Sequence, residues 1–263
     1  MRSDLARRPS AAVLLLAAAL GLALATAGLR AEDPAPAVSD PKADAIAAQE
    51  MQALGGREAW DATRYLRFTF AGRRTHTWDR STGRHRVEGK TRDGKSFVVL
   101  ENLGTREGRA WQDGKEATGD DLKKMLELGY GTWVNDTYWL LMPYKMKDPG
   151  VHLAYGGEDT IGGKRYDKLT LSFDHVGLTP GDHYTAWINR DTHLMDRWSY
   201  VLESMKPTDP PGVWDWTGWQ RYGSIELAPH RVEVGGDAKL ELSDIAVPAS
   251  VPDAVFTDPA VPR

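Results

Sequence analysis

The chain has 263 residues, with 33 Lys and Arg against 37 Asp and Glu, a net charge of −4 and no cysteine. That composition excludes disulfides, thiolate metal sites and cysteine nucleophiles. With no basic block, it also gives nucleic acid no surface to bind.

At the N-terminus, Arg2, Arg7 and Arg8 precede an apolar run from Ala11 through Leu24, and Ala25–Thr26–Ala27 closes it. Basic, then apolar, then A-x-A is the order of a secretory signal peptide, so residues 1–27 are expected to be cleaved. The expected compartment is the periplasm. Without cysteine there is no lipid attachment site of the bacterial lipoprotein kind. Residues 28–41 hold the Pro/Ala-rich stretch Glu32–Val38 and read as a flexible leader.

Asp40 followed by Pro41 is an N-cap with proline in the first helical turn. Ala43, Ile46, Ala47, Met51 and Leu54 recur with a period of about 3.6, which predicts a helix over 40–54 that Gly55–Gly56 ends. A helical turn around Arg57–Thr63 carries Trp60.

From Tyr65 the period becomes two. Leu66, Phe68 and Phe70 share one face, as do Leu169, Leu171 and Phe173, then Leu194 to Leu202, then Leu240 and Leu242. Asp93–Gly94, Asp113–Gly114, Gly162–Gly163, Asn189–Arg190–Asp191 and Gly235–Gly236–Asp237 are the turn signals between such runs. The pattern predicts about 10–11 strands in an antiparallel meander that curls into a half-barrel.

A helical insertion over 119–150 interrupts the meander. Asp120–Asp121 open one helical stretch that Gly129 is expected to end. A second stretch, from Trp133 to Met142, lies between Gly131 and Pro143. An apolar helical segment inside a β-meander needs a surface to cover, and the curved inner face of the sheet is the one available.

The order of these features carries a resemblance. The helix ending in Gly55–Gly56 with Trp60 is followed by a Tyr-x-x-Trp-Ile strand at Tyr184–Ile188 and by Leu194–Met195–Asp196–Arg197–Trp198. Tyr222–Pro229, Leu240–Ile245 and Val251–Phe256 complete it. Over most of residues 42–258 the chain resembles the periplasmic outer-membrane lipoprotein carriers, the LolA/LolB-like superfamily. The resemblance implies one α+β domain over 42–258, an unclosed and strongly curved antiparallel half-barrel with an N-terminal helix and a mid-chain helical lid. It implies binding of acyl chains with no cofactor and no catalysis. The chain lacks the lipidated cysteine of the receptor type and is longer than the soluble carrier type.

Physics sets what such a carrier requires. An exposed acyl chain costs about 0.8 kcal/mol per CH₂, so about sixteen carbons cost on the order of 12 kcal/mol. A carrier needs an apolar hollow and a movable cover. The expected lining is Trp133, Trp139, Leu141, Trp187, Trp198 and Trp216, and each of these also reads as ordinary core. Expected partners are a lipid or acylated protein and an envelope protein, with the carrier a monomer.

Other chemistry has weaker support. His175, His183 and His193 each have a nearby Asp, a loose set for a hard metal, but they fall at turns without His-Glu-x-x-His or His-x-His spacing, so no metal is expected. There is no Gly-x-Ser-x-Gly, and no carboxylate pair stands out. Trp214–Asp215–Trp216 puts two rings on one face, which supports an alternative, a Trp-lined glycan- or protein-binding envelope module.

Overall fold

A computed structural model describes residues 40–174 and 177–261, all within one unit, Ser39–Arg263. The signal peptide, most of the leader and His175 lie outside the described residues.

Helix α1, Pro41–Ala53, starts as its sequence predicts: the Asp40 carboxylate accepts from the backbone N–H of Lys42 and Ala43. Helix α2, Arg57–Ala62, buries Trp60. A first meander follows: β1 (Tyr65–Phe70), β2 (Arg74–Asp79), β3 (Arg84–Lys90), β4 (Ser96–Asn102), β5 (Glu107–Gln112) and β6 (Lys115–Glu116). Helix α3, Gly119–Lys145, leads to a second meander: β7 (Val151–Ile161), β8 (Lys164–Phe173), β9 (His183–Asn189), β10 (Met195–Val201) and β11 (Gly212–Thr217). The chain then makes a separate hairpin, β12 (Gln220–Tyr222) with β13 (Ile225–Leu227), and returns through β14 (His230–Glu233) and β15 (Lys239–Ala246).

Among the described residues thirteen strands form one antiparallel sheet, in the order β6-β5-β4-β3-β2-β1-β15-β14-β11-β10-β9-β8-β7. Strand β15 pairs with β1 and so joins the two meanders. The sheet is large, curved and not closed, with β6 and β7 as its edges. The periodicity counted fewer strands because β6, β12, β13 and β14 have two to four residues, too few for alternation to show.

The 27 residues of α3 form one helix, about 40 Å long, that starts just after one sheet edge and ends just before the other. This corrects the expectation of two helical stretches. Gly129 does not end the helix; it lets the helix approach the sheet. A Cβ there would lie 2.7 Å from Glu101 Oε1 and 2.8 Å from Val99 Cγ1. Pro143 sits within the last turn, and the helix runs on to Lys145.

The buried stripe of α3 changes character along its length. Met125 packs with Val87, Phe97, Val99 and Ala110. Thr132 and Asp136 are buried and polar. Leu140, Leu141, Met142 and Tyr144 join the main core with α1, β1, β8–β11 and β15. Tyr144 stacks on Trp60 at 4.4 Å, and its hydroxyl lies 2.8 Å from the carbonyls of both Leu54 and Glu226. That side chain ties the end of α3 to α1 and to the β12–β13 hairpin. Among the described residues no helix is long and apolar enough to cross a membrane.

Candidate functional site

Strand register assembles the aromatic residues. Tyr184 of β9 faces Tyr200 of β10, Ala186 faces Trp198, and Trp198 faces Trp214 of β11. Side chains alternate along a strand, so Trp214 and Trp216 share this inner face and Asp215 points away, to Arg197. The small Ala186 leaves room opposite Trp198. A register shift between Met195 and Arg197 puts Met195 on the core side, fully buried, together with Trp198. Simple alternation from Leu194 had put Met195 on the other face; a bulge removes that alternation.

Helix α3 lowers Tyr138 and Trp139 into the group. Trp139 meets Trp198 at 4.8 Å and Trp214 at 5.3 Å, both edge to face. Tyr138 meets Tyr184 at 5.1 Å and Trp198 at 5.9 Å. Trp198 meets Trp216 at 5.2 Å, and Trp216 stacks with Trp219. Trp198 and Trp216 are each 1% exposed, whereas Tyr138, Trp139, Phe173, Tyr184 and Tyr200 are only partly buried. The cluster is therefore sealed where Trp198 and Trp216 meet, and more exposed toward Tyr138, Tyr184 and Tyr200 and at Trp219 beyond Trp216. Burial raises the phenols of Tyr138 and Tyr184 above their ordinary value, so these rings are uncharged at neutral pH.

A cation lies at the sealed end. Arg231 of β14 is fully buried, with its guanidinium 3.3 Å above the Trp216 ring. Nη1 donates to the carbonyls of Ala228 and His230, and Nη2 to that of Trp139 at 2.5 Å. The Trp139 carbonyl is free to accept because its helical partner four residues on is Pro143, which has no N–H. Burial lowers the Arg231 guanidinium well below its ordinary value. Nothing in the sequence marks this residue, since an arginine in a strand reads as an outward one.

A second buried assembly pins the middle of α3. Arg74 grips Asp136 with two hydrogen bonds of 2.7 and 2.8 Å. His76 Nε2 lies 2.8 Å from Asp136 Oδ2, His76 Nδ1 lies 3.0 Å from His85 Nε2, and His85 Nδ1 lies 3.0 Å from Glu101 Oε1. The side chains of His76, His85, Asp136 and Glu101 are all inaccessible to solvent. Each ring nitrogen of the two histidines thus faces a carboxylate or the other ring.

This clasp should respond to acid. Burial, only partly offset by Glu101, lowers His85 from 6.5 to about 4. Burial raises Asp136, but its bonds to His76 and Arg74 prevail and hold it below its ordinary value. Both groups take up protons more readily in the unfolded chain, so the His85 contribution is full above about pH 6.5 and is lost as the pH falls toward 4, while that of Asp136 is lost only below about pH 4. Melting temperature should fall across that window by more in the native sequence than in His85→Gln. Parallel pH curves for the two would contradict this account of His85.

The structure brings together three of the six expected lining residues, Trp139, Trp198 and Trp216. Leu141 is fully buried in the same core. Trp133 packs elsewhere, edge-on to Trp78 of β2 at 5.2 Å. Trp187 points to the other side of the sheet: its neighbours Ala186 and Ile188 face the core, and its Nε1 donates to Asp159 at 2.8 Å. Trp214 and Trp216 do share one face, but it is the covered inner one, with the rings 6% and 1% exposed. That removes the open row of rings a glycan would stack on. The expected lining left out Tyr138, Tyr184, Tyr200 and Trp214; of these, alternation along the strands that carry Trp198 and Trp216 marks Tyr200 and Trp214.

Among the described residues no three His, Asp or Glu side chains converge as metal ligands. His183 is exposed at the start of β9, and His193 sits in the β9–β10 turn.

No protein-family model matches the sequence, and no curated protein matches it. Solved structures to which the chain is similar include a DUF1329 family protein from Desulfovibrio piger, 11% identical over 83% of this chain and 98% of that one, with a TM-score of 0.43. A putative outer membrane lipoprotein-sorting protein domain from Vibrio parahaemolyticus is 8% identical over 82% and 96%, with a TM-score of 0.41. A LolA superfamily protein from Nitrosomonas europaea is 11% identical over 81% and 96%, with a TM-score of 0.35. At these identities the likeness concerns the fold alone.

Proposed function

We propose that this protein is a noncatalytic, periplasmic binding or carrier protein for a lipid or acylated ligand. The ligand is held on the concave aromatic face of the sheet, beneath α3 and α1. One observation carries the reading: a single 27-residue helix lies on the inner face of an unclosed sheet and fills its aromatic half with its own Tyr138 and Trp139. Such a cover and an acyl chain compete for the same surface. A chain of about sixteen carbons gains on the order of 12 kcal/mol by leaving water, enough to displace several side-chain contacts. Release then follows when the helix returns, provided the two sets of contacts are comparable in energy.

The aromatic lining suits this exchange. Edge-to-face contacts add about 0.5–1.5 kcal/mol each beyond area burial, so each is replaceable singly by methylene groups. An acylated protein and an envelope partner are the delivery components this reading calls for.

The test is a titration of the purified protein with an apolar fluorescent naphthylamine dye, alongside mass spectrometry of its organic extract. Saturable dye binding that methyl palmitate displaces, together with co-purified acyl species, is expected. A clean extract and no saturable binding would overturn the proposal.

A further inference from the structure

Resting on that reading, the polar atoms at the sealed end of the cluster narrow the ligand class. Five arginines among the described residues, Arg64, Arg74, Arg109, Arg190 and Arg197, present the edge formed by Nε and Nη2 to the two oxygens of one carboxylate. Arg231 has the same edge and no carboxylate. Its Nε is buried without an acceptor, and Nη2 uses one hydrogen on the Trp139 carbonyl. The indole N–H groups of Trp198 and Trp216 are also buried without acceptors. These three side chains are in one contact series, 3.3 Å from guanidinium to Trp216 and 5.2 Å from Trp216 to Trp198. The sealed end thus holds a positive charge and three unsatisfied donors, with no anion bound to them among the described residues. Leaving buried donors unpaired is costly, and a charged one more so.

We propose that Arg231, Trp198 and Trp216 bind the anionic head of a single-chain amphiphile, with the head innermost and the acyl chain running toward the partly exposed rings of Tyr138, Tyr184 and Tyr200. The chemistry required is a pair of anionic oxygens at the end of one hydrocarbon chain, which the guanidinium edge accepts side by side. A free fatty acid supplies it as a carboxylate, and a lysophospholipid with a terminal phosphate supplies it as a phosphate. A neutral ester of the same length fills the hydrocarbon path but leaves the cation unpaired.

Displacement of the bound dye from the full chain by palmitate, lysophosphatidic acid and methyl palmitate tests this. At least one of the two anions should displace the dye at about tenfold lower concentration than methyl palmitate, and the better anion identifies the head group. In Arg231→Met the ratio of anion to ester should fall to about one. Trp216→Phe, which keeps the ring and removes the N–H, should reduce it severalfold and serves if Arg231→Met does not fold. Equal displacement by all three compounds in the native sequence overturns the head-group site and leaves the carrier reading standing. A preference that persists in Arg231→Met also overturns the site. If none of the three displaces the dye, the carrier reading fails with it.

Discussion

Asp136→Ala is expected to destabilise the protein by about 3–5 kcal/mol, because it leaves two buried partners without their anion. Arg74 would lose both of its short hydrogen bonds, and His76 would lose the acceptor that orients its ring toward His85. For a protein of this size that corresponds to a fall in melting temperature of roughly 10 °C. The damage should be local before it is global. Amide exchange in the middle of α3 should accelerate, because the stripe there is Gly129, Thr132 and Asp136 and has little apolar surface to hold it. A melting temperature within 2 °C of the native value, with exchange unchanged, would show that the clasp does not anchor the helix.

Trp198→Ala should cost about 3–5 kcal/mol, the range for deleting a large buried aromatic. Trp198 touches Tyr138, Trp139, Tyr184, Tyr200 and Trp216, so its removal leaves a cavity at the centre of the cluster. The same substitution on the outer face gives the contrast. Trp187→Ala loses one hydrogen bond to Asp159 and partly buried area, and should cost about 1 kcal/mol. Thermal melts of the two variants read the difference. The void in Trp198→Ala should also admit a small apolar probe such as benzene, seen as a rise in melting temperature on its addition. Equal destabilisation of the two variants would remove Trp198 from its central place.

Much of the framework was legible in the sequence because it rests on local rules. Asp40–Pro41 caps α1, Asp113–Gly114 and Gly162–Gly163 sit at turns with positive φ, and the inward Leu66, Phe68 and Phe70 obey strand alternation. The misreadings share a physical cause: each residue involved answers to a distant neighbour. Gly129 is needed by Glu101 and Val99, 28 and 30 residues away, and only the folded sheet brings them close. His76, His85, Asp136 and Arg231 are buried polar groups, and any pattern that assigns polar residues to the surface puts them outside. Glu50 is the same case on α1, fully buried, with its carboxyl raised well above the usual range by desolvation. Trp187 and Trp198 are alike in type and lie on opposite faces; only the pairing of β9 with β10 separates them.

Pro143 has an effect beyond its own turn. By withholding one amide hydrogen it hands a peptide oxygen of the helix to a side chain of the sheet. The final stretch of α3 is therefore tethered through its main chain as well as through its packed rings. Lifting that stretch would strand a guanidinium proton in an oily interior unless some incoming oxygen took over. On the proposed reading, lifting the helix and admitting cargo become a single exchange, in which the two are alternative occupants of one electrostatic seat.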